Sequence, residues 1–273
     1  MEYKEFDLND YIEIAEDVYW VGFADMDAGF HCNPYLIVDN DEAVLIDSGS
    51  RNDFSTVMLK IMRTGTNPKI IKRLIYQHYD PDLCGNIPHM EAIIDNPDLK
   101  IISHYRNNPF INYYSTISPK ECIEEMGFKY TFSSGRRLEF VLTPYCHAPG
   151  SFVTYDTKTK VLFSSDIFGS YDSYWELFTQ INKECMQCDT LDECSITKRK
   201  CHMAGVIDFH RNIMPSAKAL QHALGIIEKM DISMIAPQHG SVFYSSDSQK
   251  AVIDRLKSLT SVGIDYYLED KSL

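Results

Sequence analysis

The stretch that decides the fold is "LIYQHYDPDLCGN", residues 74–86. An apolar run stops at Tyr76, and His78, Asp80 and Asp82 follow at alternate positions. A buried strand that ends in one imidazole and two carboxylates puts metal-seeking groups on the rim of a rigid scaffold, where binding residues concentrate. In an extended chain alternate residues share a side, so the three side chains are expected to converge.

Upstream, "VYWVGF", "PYLIVD" and "EAVLIDSG" read as short strands separated by turn residues. "DFSTVMLKIMRTG" has helical spacing and a glycine stop. "IKRLIYQH" is a strand that "NIPHMEAIIDN" follows as a helix, and "LKIISHY" is a further strand. Downstream, "RLEFVLTPYCH", "SFVTYDTKTKVLFSSD" and "ISMIAPQHG" repeat one design, an apolar strand that ends in His or Asp. "SAKALQHALGIIEKM" and "SQKAVIDRLKSLTS" read as amphipathic helices. Strands in meanders, then strands alternating with helices, predict an α/β (α+β) chain with two mixed sheets packed between helices, a four-layer αββα sandwich. The reading is of one domain over 1–273, with 171–210 inserted in it as a polar, cysteine-rich segment.

The repeated design yields four strand-end positions: His78-x-Asp80-x-Asp82, His147 in "PYCHAPGS", Asp166 in "LFSSDIFG" and His239 in "APQHGSVF". Singly, each has an ordinary reading. A histidine at a strand end is commonly a satisfied polar residue, and Asp166 or "DPD" reads as a turn. Four such ends, each after an apolar strand, point instead to metal. Three imidazoles and three carboxylates suffice for two ions with one carboxylate bridging.

The composition narrows the field. The chain has 273 residues, of which 44% are hydrophobic, enough for a sizeable core without disulfides. Its net charge of −13 argues against a nucleic-acid surface. "MEYKEFDLND" is no signal peptide, and no apolar run reaches membrane-spanning length. A cytoplasmic protein without membrane contact is expected, and its eight cysteines are then thiols or metal ligands.

"HYDPDLCGN", His147, Asp166 and "HG" at 239–240 together resemble the metallo-β-lactamase superfamily. Within it, the resemblance is to the oxygen-reducing core of flavodiiron proteins and to oxygen-binding diiron domains, and it covers nearly the whole chain. Hydrolases of the superfamily carry His-x-His-x-Asp-His, whereas the flavodiiron branch has a carboxylate where Asp80 stands. Carboxylates are harder ligands than imidazoles and suit iron. The resemblance implies one iron held by His78, Asp80 and His147, a second by Asp82 and His239, and Asp166 as the bridge. The pattern is broken where the superfamily has a further histidine and this chain has Leu83. The second iron then keeps an open position or takes a ligand from elsewhere. His89 is one candidate, with a helix-surface histidine as the ordinary alternative.

A second constellation is Cys185, Cys188, Cys194 and Cys201, spaced C-x2-C-x5-C-x6-C. Four thiolates so close could hold an iron–sulfur cluster such as [4Fe-4S], or a zinc ion, or be solvated thiols. The flavodiiron core has no such segment, so the resemblance assigns nothing there. Cys32, Cys84, Cys122 and Cys146 lie among apolar neighbours and read as small buried hydrophobes.

Flavodiiron enzymes draw electrons from a fused FMN domain, and no such domain follows in this sequence. The expected function is therefore O2 or NO binding at a diiron site for redox sensing, with a signalling partner. A reductase fed from outside through the cysteine segment by an electron-transfer protein is the first alternative. A metal-dependent hydrolase is the second, which Asp80 and Leu83 count against. Whether the chain is an enzyme stays open at this point, flavodiiron-like oxidoreductase being the form it would take. The resemblance also implies a homodimer.

Overall fold

The computed structural model describes residues 6–25, 29–114, 117–171, 175–181, 185, 194 and 201–269. These divide into two compact units. The first takes in residues 1–24, 32–140 and 156–159, and the second residues 25–31, 141–155 and 160–273. Among the described residues no helix is long and apolar enough to cross a membrane.

The first unit is built on a seven-stranded sheet. Its elements begin with β1 (Ile12–Ala15) and β2 (Val18–Trp20), which pair antiparallel. Two short strands follow where the chain passes between the units, β3 (Phe23–Asp25) and β4 (Phe30–Cys32). Next come β5 (Tyr35–Asp39), β6 (Glu42–Ile46), β7 (Ile71–Ile75), β8 (Lys100–Ser103) and β9 (Lys120–Cys122). The sheet order is β1-β2-β5-β6-β7-β8-β9, antiparallel as far as β6 and parallel from there to β9. All of β6 is buried, which is why its sequence lacks the alternation of a half-exposed strand.

Helix α1 (Phe54–Arg63) buries Val57, Met58 and Ile61 on one face and ends at Gly65, whose φ of +85° a side chain would strain. Short helices α2 (Pro81–Cys84), α3 (Ile87–Ile94) and α4 (Asn108–Ile111) complete the parallel half. Two buried cations lock this unit. The Lys60 ammonium donates to the carbonyls of Leu8 and Gly22 and lies 4.0 Å from the centre of the Trp20 ring. Arg136 makes a two-pronged bond to Asp156, at 3.1 and 2.6 Å.

The second sheet has the order β10-β11-β12-β13-β15-β16-β14. Strand β10 (Lys129–Thr131) pairs antiparallel with β11 (Arg137–Leu142). The second unit holds most of β12 (Phe152–Asp156), with β13 (Val161–Phe163), β14 (Phe178–Thr179), β15 (Met234–Ala236) and β16 (Val242–Phe243). Its core is one apolar cluster to which helices α5 (His202–Ile213), α6 (Ala217–Ile227) and α7 (Ser246–Lys257) contribute. A last short helix, α8 (Ile264–Glu269), follows.

The segment 171–210 contains more ordered core than its polar composition suggests. β14 pairs in parallel with β16. Helix α5 begins at His202 and buries Met203, Val206, Ile207, Phe209 and His210. At roughly 1.5–3 kcal/mol for each large apolar side chain fully buried, α5 is an integral part of the second unit.

Candidate metal centre

Each expected ligand follows the end of a strand. His78 comes three residues after β7, Asp166 three after β13, His239 three after β15 and His147 five after β11. The two units contribute three each, and each set has its own geometry.

In the first unit, extended-strand alternation does not bring His78, Asp80 and Asp82 together. β7 stops at Ile75, the chain turns, and Pro81 opens the one-turn helix α2. Asp80 stays extended at φ −70°, ψ 155°, and its carbonyl accepts from the N–H groups of Leu83 (3.1 Å) and Cys84 (2.9 Å). Proline suits that first helical position because its fixed φ is already helical. Asp82 therefore projects from a helical turn, and Asp80 from the turn's cap. His78 is buried, with Nε2 3.8 Å from Asp80 Oδ2.

The loop after β6 clamps that turn. Ser48 N–H and Oγ both donate to the Leu83 carbonyl, at 3.1 and 2.9 Å. With the Ser48 proton so used, the Tyr76 hydroxyl 3.0 Å away is the donor to Ser48 Oγ. Asn86 Nδ2 donates to the Ser48 carbonyl at 2.7 Å. Leu83 itself is fully buried in the unit's apolar cluster. The ring of His89 packs on Phe54 with centroids 5.0 Å apart. Cys32, also fully buried, has its Sγ within 4.8 Å of a carboxylate oxygen of Asp82.

In the second unit, Asp166 lies between two imidazoles. Its Oδ2 is 3.1 Å from His147 Nε2 and its Oδ1 is 4.0 Å from His239 Nε2. His239 Nδ1 lies 2.6 Å from the His31 carbonyl, an acceptor only, so Nδ1 carries the proton and donates. His31 is fixed by stacking on Trp175, with centroids 4.5 Å apart. A ring protonated at Nδ1 turns the lone pair of Nε2 toward Asp166. A lone pair facing a carboxylate oxygen favours a cation in the space they share, and an imidazole whose far nitrogen donates to a carbonyl is oriented as metal-binding histidines are. One carboxylate with each oxygen facing a different histidine nitrogen is the arrangement a bridge between two ions needs.

The Asp166 loop is pinned from α5. Phe168 N–H donates to His210 Nε2 at 3.1 Å, and His210 Nδ1, which must then hold the proton, donates to the Val206 carbonyl at 2.7 Å. Burial pushes the His210 imidazole down to about 4, which keeps it neutral. Tyr171 and Phe209 stand against His239, with centroids 5.1 and 5.8 Å away. Gly240 has φ +80°, and a side chain there would collide with Ser170.

Of the second constellation, Cys188 lies outside the described residues. Cys185 and Cys194 are half-buried, and Cys201 caps the start of α5. Among the described residues these three join no group of metal-ligating atoms. Cys84 and Cys146 are buried as expected, and burial pushes the Cys146 thiol up to about 12. Cys122 is half-buried and accepts from Asn108 Nδ2 at 3.2 Å.

Residues 30–240 match the family described as ODP family beta lactamase. A structure of a peroxy diiron species of the chemotaxis sensor ODP is 25% identical, with a TM-score of 0.76, and the match covers 95% of this chain and 98% of that one. The apo state of the chemotaxis sensor ODP from T. denticola is likewise 25% identical, with a TM-score of 0.71, covering 94% of this chain and 96% of that one. An anaerobic nitric oxide reductase flavorubredoxin of Enterobacter sp. (strain 638) is 25% identical over 257 residues, 87% of this chain and 49% of the relative. The chain thus spans about half the length of the curated relatives it matches. The flavodiiron protein from Giardia intestinalis, 21% identical with a TM-score of 0.73 over 93% of this chain and 60% of that one, shares the fold. The fold is the metallo-β-lactamase-like one that the sequence predicts.

Proposed function

The chain belongs to the ODP beta lactamase family, and on that premise we propose that it is a non-haem diiron protein that binds O2 for redox sensing. The observation that carries the proposal is Asp166, with one oxygen 3.1 Å from His147 Nε2 and the other 4.0 Å from His239 Nε2. In this reading His78, Asp80 and His147 hold one iron, Asp82 and His239 hold the second, and Asp166 bridges them. Two ferrous ions so held would supply the electrons that an O2 ligand draws on when it binds.

The chain's own residues do the rest. The Ser48 clamp and the Pro81 turn hold Asp80 and Asp82 at fixed positions. The His31 carbonyl sets the His239 tautomer. Tyr171 and Phe209 pack against one side of His239, whose ring is itself buried. The donor set is rich in carboxylate, as iron prefers.

NO is the second ligand to test, because the curated relatives include nitric oxide reductases. A signalling partner as the destination of the signal, and a homodimer as the form of the protein, remain part of the proposal.

The test is iron and zinc analysis of protein purified without oxygen, with optical spectra before and after air, and separately after NO. Two irons per chain and a new visible band in air are expected. Zinc in place of iron, with no response to either gas, would sink the proposal and return the chain to the hydrolases.

A further inference from the structure

The second iron of the proposed site is one ligand short, because Leu83 stands where the superfamily has histidine. We propose that Cys32 fills that place, binding the second metal through its thiolate beside Asp82. The inference rests on the diiron reading above and adds a ligand to it.

Four observations converge on Cys32. Its Sγ lies within 4.8 Å of an Asp82 carboxylate oxygen. Two donors on one ion, each about 2.0–2.3 Å from it, are separated by roughly 3–4 Å, so a small shift lets both bind together. The other candidates are less well placed. Leu83 has no donor and lies in the apolar cluster, and His89, whose ring packs on Phe54, joins no group of metal-ligating atoms among the described residues.

The segment that carries Cys32 is also held on both sides. The carbonyl of the preceding residue, His31, accepts from His239 Nδ1, and the side chain of the following residue, Asn33, accepts from Trp20 Nε1 at 2.8 Å. Gly22 lies so close to the Cys32 carbonyl that any side chain there would strike it. Finally, the cysteine is fully buried, so its sulfur is not a solvent-facing nucleophile. A thiolate is a softer donor than the carboxylates beside it, and it would place further negative charge on the metal that the reading leaves open to a gas ligand. On binding, the thiol proton goes to solvent and the sulfur lone pair goes to the metal, with no electron transferred.

The ordinary alternative is a cysteine that acts as a small hydrophobe. The experiment loads metal-free full-length chain with Co2+ under argon and records the thiolate-to-cobalt charge-transfer absorption as the ions are added. Wild type, Cys32→Ser, Cys32→Ala, Cys122→Ser and Asp166→Ala are compared, with circular dichroism to confirm that each is folded. Bands from the cysteines at 185–201 are common to all and cancel in the difference spectra.

The proposal expects Cys32→Ser or Cys32→Ala, whichever folds, to lose the absorption that belongs to the second ion. Affinity for that ion should fall at least the roughly 10- to 100-fold that loss of an outer partner costs. Cys122→Ser should change neither. Spectra and affinities of both Cys32 variants that match wild type, while Asp166→Ala loses metal, would overturn the role of Cys32 and leave the diiron reading standing. Asp166→Ala that binds two ions as wild type does would overturn the diiron reading and this inference with it.

Discussion

Replacing His210 with alanine tests whether α5 belongs to the metal centre. The imidazole is fully buried and bonds twice, from Nδ1 to the Val206 carbonyl at 2.7 Å and at Nε2 from Phe168 N–H at 3.1 Å. Phe168 has φ +72°, a strained backbone for a bulky residue, which persists only where its surroundings over-determine it. Alanine leaves the buried Phe168 N–H without its acceptor, at a cost of about 1–3 kcal/mol. The void left by the ring raises the total to about 3–5 kcal/mol, in the range of large-to-small core substitutions. Relaxation of Phe168 also displaces Asp166, two residues earlier, so iron affinity should fall by roughly 10- to 100-fold. Glutamine can return an acceptor to Phe168 and should recover much of both losses. Denaturant unfolding measures the first effect, and iron titration under argon the second. If His210→Ala unfolds at the wild-type midpoint and binds iron with wild-type affinity, the coupling through Phe168 is wrong.

Arg136→Met should destabilise the first unit by about 3–5 kcal/mol, read as a lower denaturation midpoint, because it strands the buried Asp156 carboxylate that Arg136 grips at 2.6 and 3.1 Å. Burial pushes the Lys60 ammonium down from 10.5 to about 8. Between those values the unfolded chain binds more protons than the folded one, so Lys60 makes stability rise with pH across that window. The rise should be about 1–2 kcal/mol once screening and the favourable Leu8, Gly22 and Trp20 contacts are allowed for, and Lys60→Met should remove it from a pH series of unfolding curves. Gly240→Ala should cost about 1–3 kcal/mol through its φ of +80° and the collision with Ser170, and should lower iron occupancy by moving His239 next to it.

Much of this was legible in the sequence because strand ends announce themselves. An apolar run that leads to His, Asp or a His-Gly pair marks both a strand and a candidate ligand, although β7, β13 and β15 each end three residues before it, and "SFVTYDTKTKVLFSSD" forms two strands, β12 and β13, where one was expected. The way His78, Asp80 and Asp82 are arranged was not legible from alternation, since Pro81 starts a helical turn where a strand was expected. Proline's preference for the first helical position was the available sign.

His210 was hidden by averaging over 171–210. Its helix shows apolar or buried positions at 203, 206, 207 and 210, the helical period, inside a segment whose overall composition is polar. Cys32 and Ser48 left no local signal. Each reaches α2 from a distant point in the chain, Ser48 through hydrogen bonds to Leu83 and Cys32 by lying near Asp82, and only the fold brings them there.

The central claim is that Asp166 bridges two irons, and Mössbauer spectroscopy of 57Fe-loaded protein, before and after air, tests it most directly. The account predicts two iron sites in equal amounts that are magnetically coupled after oxidation, so that no electron paramagnetic resonance from isolated ferric ions appears. A single iron site, or two ferric ions that behave independently, would contradict it.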